Sequence, residues 1–316
     1  MAMNRRLLAG VFLAGVSWLS CAFGHASRSS VTTARVELAE WSFVAAAAYG
    51  VVAWNERGDA QRVTTDGVVL RVVSLPVAKL RRMTWTGTQL LGLGFDAQDR
   101  QIALAVDGDL RVSGEWVLPS EWFEIVLGEG PPSVISGSGI YHLEPDGRLE
   151  RHADILRPPS MERSQGAVHG FQTAHGLIVC QDEDKAKATA NAAWCALQQR
   201  GAWQVRGRFI EPLVCEAHLV VRTPRGPHRT AITIYSTDTG KQLKSVVVKA
   251  RPSIACAVGP QLVVATNGIT GRTLPSLKQA WNAPTDGAVT AVGAFGGTVA
   301  YQMAGTNELS LLKHTP

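Results

Sequence analysis

The sequence predicts an all-β fold built from seven repeats, and three observations predict it. A short apolar strand recurs along the chain, written most clearly as Gln261-Leu262-Val263-Val264-Ala265 after the turn Gly259-Pro260. Its copies start near positions 50, 89, 139, 176, 218, 261 and 297, a period of roughly 40 residues with its widest gap between 89 and 139. Hairpin turn signals separate the strands, at Gly58-Asp59, Asp107-Gly108-Asp109, Asp146-Gly147 and Thr239-Gly240. A period of this length made of short strands is the signature of a β-propeller blade. The expectation is a seven-bladed β-propeller over residues 35–316. Six or eight blades are the alternatives, because the long second repeat has room for a further strand pair.

Ahead of the repeats, residues 1–26 read as a signal peptide. Arg5 and Arg6 supply the positive start, and residues 7–19 form an apolar core short for a bilayer span. Gly24-His25-Ala26 offers small residues where a signal peptidase inspects them, so cleavage is expected after Ala26. A lipid on Cys21 is the rival, disfavoured because Trp18 stands where a lipobox prefers an aliphatic residue. Residues 27–34 read as a flexible linker. Residues 35–39 then alternate like a half-buried strand and are expected to close the ring on the last blade, which ends one strand short at Leu309-Ser310-Leu311-Leu312.

Each repeat should run from a small-residue inner strand through a turn to the recurring apolar strand and then to outer strands. The inner strands are expected at 44–49, 82–87, 133–139, 170–175, 214–218, 253–259 and 288–295. Ala-rich residues 44–48 have helical propensity, but the repeat phase makes them strand. Residues 185–194 leave room for one short surface helix. Two segments depart from the rhythm: 115–132, with Trp116, Trp122 and Phe123, and 156–170, rich in Pro, Arg and Ser. Both read as inserted loops, which in repeat proteins often carry the binding face. Trp54, Trp85, Trp194, Trp203 and Trp281 fall in or beside strands and read as packing.

Composition narrows the function. A chain of 316 residues that is 46% hydrophobic and 18% charged is globular rather than disordered. The formal charge of +5 is spread out, with no basic run interleaved with aromatics, which argues against a nucleic-acid partner. No stretch after the leader is long and apolar enough to span a membrane as a helix. Apart from Cys21 there are four cysteines, as an exported chain would use them. Cys180 and Cys195 can face each other across a hairpin. Cys215 and Cys256 hold like positions in neighbouring repeats and can bridge two blades. No Cys-x-x-Cys spacing suggests zinc.

Catalytic chemistry is weakly written. The predicted inner strands carry only Arg82 and Glu216 as charged groups, and one carboxylate does not make the acid/base pair of a glycosidase or a calcium cage. His175 and His218 hold matching places and could share a metal, but a turn-capping role explains each. The acidic run 181–185 lacks the spacing of an EF-hand loop. Gly137-Ser138-Gly139 lacks the third glycine and helix of a dinucleotide site, and no Gly-x-Ser-x-Gly elbow occurs. No catalytic residue, metal or cofactor is expected. The binding candidates are Trp122, Phe123, Arg157, Arg163, Arg222, Arg225, His228 and Arg229, because arginine beside exposed aromatics is the composition of interface hot spots. Met161 and Glu162 accompany them on the same predicted loop face.

By period and strand pattern, residues 35–314 resemble the broad class of propellers that includes WD40, quinoprotein-like and lactonase-like repeats, without a family-specific motif. The resulting expectation is an exported, monomeric, non-catalytic propeller that binds a protein or cell-envelope polymer through one loop face in the periplasm or outside the cell. The alternatives are a hydrolase or lactonase working at the channel mouth and an immunity-type inhibitor of a secreted toxin.

Overall fold

The computed structural model describes residues 30–37, 41, 43–128, 130–155, 167–182, 192–198, 201–206, 212–257 and 260–315. These form twenty-eight strands and no helix. The first strand, β1 (Ser30–Glu37), is followed by a four-stranded meander of β2 (Phe43–Ala47), β3 (Gly50–Trp54), β4 (Asp59–Val63) and β5 (Val69–Ser74). The next meander is β6 (Lys79–Trp85), β7 (Leu90–Phe95), β8 (Gln101–Val106) and β9 (Val112–Val117). An eight-stranded sheet follows. It consists of β10 (Phe123–Leu127), β11 (Ser133–Ser136), β12 (Ile140–Leu143) and β13 (Leu149–Ala153), joined to β14 (Val168–Thr173), β15 (Gly176–Asp182), β16 (Ala192–Leu197) and β17 (Gly201–Arg206). The join is one short parallel pairing, Val126 beside Gly170 and Leu127 beside Phe171, between the first strands of two meanders.

Two further meanders are β18 (Leu213–Cys215) to β19 (His218–Pro224), β20 (Thr230–Ser236) and β21 (Gln242–Val248), and β22 (Ser253–Cys256) to β23 (Gln261–Ala265), β24 (Gly268–Thr273) and β25 (Lys278–Pro284). The last sheet is β26 (Val289–Phe295), β27 (Thr298–Met303) and β28 (Glu308–Thr315), completed by β1. β1 pairs antiparallel with β28 from Ser30↔Thr315 to Glu37↔Glu308, which ties one end of the chain to the other as the alternation at 35–39 predicted. The pairing begins at Ser30, so residues 30–34 belong to a strand and not to the expected linker. Residues 1–29, which include Cys21 and the segment expected to be a signal peptide, lie outside the described residues.

The recurring apolar strand is the second of its meander, and its composition has a packing cause. In β3, Val52 and Trp54 face Leu80, Leu90 and Leu104 of the next meander, whereas Val51 and Ala53 face Leu309 and Leu311 of the last sheet. A strand buried on both faces reads as a continuous apolar run rather than an alternation. The same sandwiching recurs around the molecule, so among the described residues the core lies in the interfaces between neighbouring meanders and not in one central mass. The glycine that often opens this strand is conformational. Gly50 has φ +128°, and a Cβ there would meet the Val63 carbonyl oxygen at 2.6 Å.

One meander departs from expectation. Its innermost strand is β10, inside the segment 115–132 that reads as an inserted loop, and residues 133–139 supply the second strand instead. The start of the repeat at 139 is therefore its third strand. Bulky Phe123-Glu124-Ile125-Val126-Leu127 lacks the small residues that marked the other inner strands, while Ser138-Gly139-Ile140 imitates their turn. Residues 183–191, most of the possible helix, lie outside the described residues, and from Ala192 the chain is strand β16.

Both expected disulfides form. Cys180–Cys195 crosses the directly opposed pair of β15 and β16, and Cys215–Cys256 links the first strands of two adjacent meanders. Trp54, Trp194 and Trp281 are buried, as packing residues should be.

Candidate functional site

The first strands of the meanders surround a central passage, and each end of it opens into a cavity. The cavity where these strands begin, here the N-mouth, has a volume of about 510 Å³. Its lining comes from the starts of β2, β6, β10, β22 and β26 together with Trp54 and Arg222. The cavity where the strands end, the C-mouth, measures about 600 Å³ and is lined by the ends of β10, β14 and β18 and the turns after them.

The N-mouth concentrates charge through a backbone irregularity. In the pairing of β6 with β7, Leu80 opposes Gly94 and Arg82 opposes Leu93, leaving Arg81 as the extra residue of a β-bulge. In a regular strand, neighbouring side chains point to opposite faces; a bulge re-aims one of them. Here both guanidiniums reach Glu124 on β10. Arg81 Nη2 lies 3.5 Å from Oε1 and Arg82 Nη1 3.0 Å from Oε2. Arg81 also donates to the Phe123 carbonyl and lies over the Trp122 ring, its guanidinium carbon 3.8 Å from the centroid. Its Nη1 is buried with no hydrogen-bond partner among the described residues. Burial pulls the Arg81 pKa below the usual arginine value, Glu124 pushes against that, and Arg82 adds to it.

The aromatic rim completes this end. Trp122 is 57% exposed, and Phe43, 38% exposed, stacks on Trp54 with centroids 4.5 Å apart. Among the described residues, three arginines and one carboxylate line the N-mouth.

The C-mouth differs in kind. It holds Glu216, His175 and Gln172 among small and apolar residues. His175 Nδ1 lies 3.9 Å from Asp238 Oδ1, and the His175 backbone N–H donates to Thr173 Oγ1, so the Thr173 hydroxyl and not the imidazole caps this turn. His218 opens β19 with Nδ1 buried and unpartnered among the described residues. Among the described residues no three His, Cys, Asp or Glu side chains converge as metal ligands would.

The binding candidates are divided by the structure. Trp122 and Arg222 line the N-mouth. Phe123, one residue from Trp122, is fully buried among Leu91, Leu93 and Ile125, which corrects its reading as an exposed binding residue; the strand alternation turns it inward. Arg222 is 7% exposed and donates to the Pro252 carbonyl, so it forms the wall of the mouth and not a loop tip. Arg225, His228 and Arg229 occupy the exposed turn after β19, away from the cavity lining. Arg157, Met161, Glu162 and Arg163 lie outside the described residues. Arg81, Glu124, Phe43 and Trp54 were not among the candidates. Placing an inner strand at Phe123-x-Ile125-x-Leu127 would have revealed Glu124.

Solved structures similar to this chain decide the architecture. The RRP9 WD40 repeats superpose with a TM-score of 0.63 at 9% identity, covering 90% of this chain and 97% of that one. The β-propeller domain of Cps50 (Swd1) from Myceliophteria thermophila gives 0.60 at 12% identity, covering 91% and 100%. The chain has the β-propeller fold. BamB from Moraxella catarrhalis is a more distant likeness, with a TM-score of 0.50 at 11% identity over 85% and 84% of the two chains. No protein-family model and no curated protein matches the sequence.

Proposed function

We propose that the protein is an exported seven-bladed β-propeller that binds a partner protein through its N-mouth. Each four-stranded meander is one blade, with β1 supplying the outer strand of the last. Export is supported by the leader, with cleavage after Ala26, and by two disulfides, which persist in oxidising compartments. The observation that carries the binding reading is the convergence of Arg81, Arg82, Arg222, Trp122 and Phe43 on one open cavity. Arginine and exposed aromatic rings at a concave centre have the composition of an interface hot spot. Binding is favoured over acid/base catalysis because both oxygens of Glu124 are already engaged by guanidiniums.

Affinity capture from an envelope extract of the source cell tests this reading, with residues 27–316 as bait. Wild type and His175→Ala should retain the same discrete partner, and Trp122→Ala should lose it. Retention unchanged by Trp122→Ala, with loss on His175→Ala, would place binding at the other end.

A further inference from the structure

The two consecutive arginines of the N-mouth are not equivalent. Arg81 is held from three sides, by Glu124, by the Phe123 carbonyl and by the face of Trp122. The Arg82 side chain makes one polar contact among the described residues, Nη1 to Glu124 Oε2, and lines the open cavity. A guanidinium has five N–H donors in a fork that matches a carboxylate in two-point geometry. Arg82 therefore keeps most of its donors for something else. Glu124 meanwhile does what an incoming acid would do, standing between two like charges that would otherwise repel each other at close range.

We propose that the N-mouth recognises a carboxylate, and that Glu124 is its built-in competitor. An Asp- or Glu-bearing loop of the partner protein sets its acid on Arg82, and an apolar neighbour in that loop covers Trp122 and Phe43. This rests on the reading of the N-mouth as the binding end and goes beyond it by naming the chemistry recognised. A cavity of about 510 Å³ takes a loop tip and not a folded surface. Arg81 and Arg82 against Glu124 leave a formal +1, which favours an acid over a neutral or basic segment, and the exposed rings favour a peptide with an apolar residue beside the acid. Glu124 holds the guanidiniums aligned while the mouth is empty, and it lowers affinity because the incoming acid must share them.

The test is fluorescence anisotropy with a labelled Gly-Glu-Leu-Glu-Gly peptide, its Gln counterpart and a glucuronate oligosaccharide. The Glu peptide should bind in a salt-sensitive manner, with the Gln peptide weaker by about tenfold or more. Arg82→Gln should lower affinity for the Glu peptide by about tenfold, whereas Glu124→Gln should raise it by a similar factor. Glu216→Gln, at the other end, should change nothing. If Glu124→Gln does not fold, Arg82→Lys takes its place, with an affinity expected between wild type and Arg82→Gln.

Equal affinity for both peptides, absence of binding, or weaker binding by a folded Glu124→Gln protein would overturn the proposal. So would Arg82-dependent binding of the glucuronate with none of the peptide, which would assign the mouth to an acidic polymer. The two readings fail separately: a partner whose capture needs Trp122 but ignores Arg82→Gln removes this inference and leaves the N-mouth as the binding end, whereas capture that ignores Trp122→Ala removes the parent reading.

Discussion

The two ends of the central passage are made from the same strands and held by different means. At the C-mouth, Cys215 and Cys256 link neighbouring first strands covalently, and Val214 and Glu216 beside Cys215 line the cavity. At the N-mouth, adjacent strands are joined across the passage by Arg81, Arg82 and Glu124, which can be rearranged without breaking a bond. A staple limits motion, whereas an ion-pair cluster presents charge and can exchange partners. The contrast teaches that the same strands can end in a covalently fixed mouth and in an arginine-rich one, and the proposed contact lies at the second. Side-chain character follows the same division: three arginines, three aromatic rings and Glu124 line one end, and Glu216, His175 and Phe171 line the other with no arginine among them.

The sharpest way to break this comparison uses two adjacent residues. Phe123→Ala removes a fully buried ring from the interface between the second and third meanders and should cost about 4 kcal/mol, read from chemical denaturation. Trp122→Ala should cost under about 1 kcal/mol while eliminating partner capture. Similar losses from both would mean that Trp122 is structural and the N-mouth is not a contact surface.

A smaller effect sharpens the other end. The double replacement Cys215→Ser with Cys256→Ser should cost about 3–4 kcal/mol. That cost should exceed the loss on breaking Cys180–Cys195, because the sequence separations are 41 and 15 and a longer closed loop restrains more of the unfolded chain. Partner capture should survive in the folded protein. Loss of capture at unchanged folding would show that the ends are coupled and not independent.

The repeat was legible because packing writes it plainly. A second strand buried on both faces must be apolar throughout, so β3, β7 and β23 announce themselves and their spacing reveals the architecture. Ring closure was legible because β28 lacked a partner in sequence order and residues 35–39 alternated. The disulfides followed from matching strand positions. What escaped was β10, whose bulky residues broke the small-residue rule for inner strands, and with it Glu124, the counter-ion of the N-mouth. Arg82 was visible as a charge on an inner strand, yet its neighbour Arg81 joins it only through a bulge, which leaves no mark in composition. Phe123 looks exposed in the sequence for the same reason, since its strand carries no inner-strand signal. Arg222 follows the apolar run and so reads as loop in the sequence, yet two further residues of strand β19 follow it.

Photo-crosslinking from the two ends tests the central claim most directly. A benzophenone residue at the exposed Ser120, beside Trp122, reports on the N-mouth, and one at the exposed Ala217 reports on the C-mouth. In the source cell, the account predicts one discrete protein adduct from position 120 that weakens with Arg82→Gln, and none from position 217. A discrete adduct from position 217 with none from position 120 would contradict it.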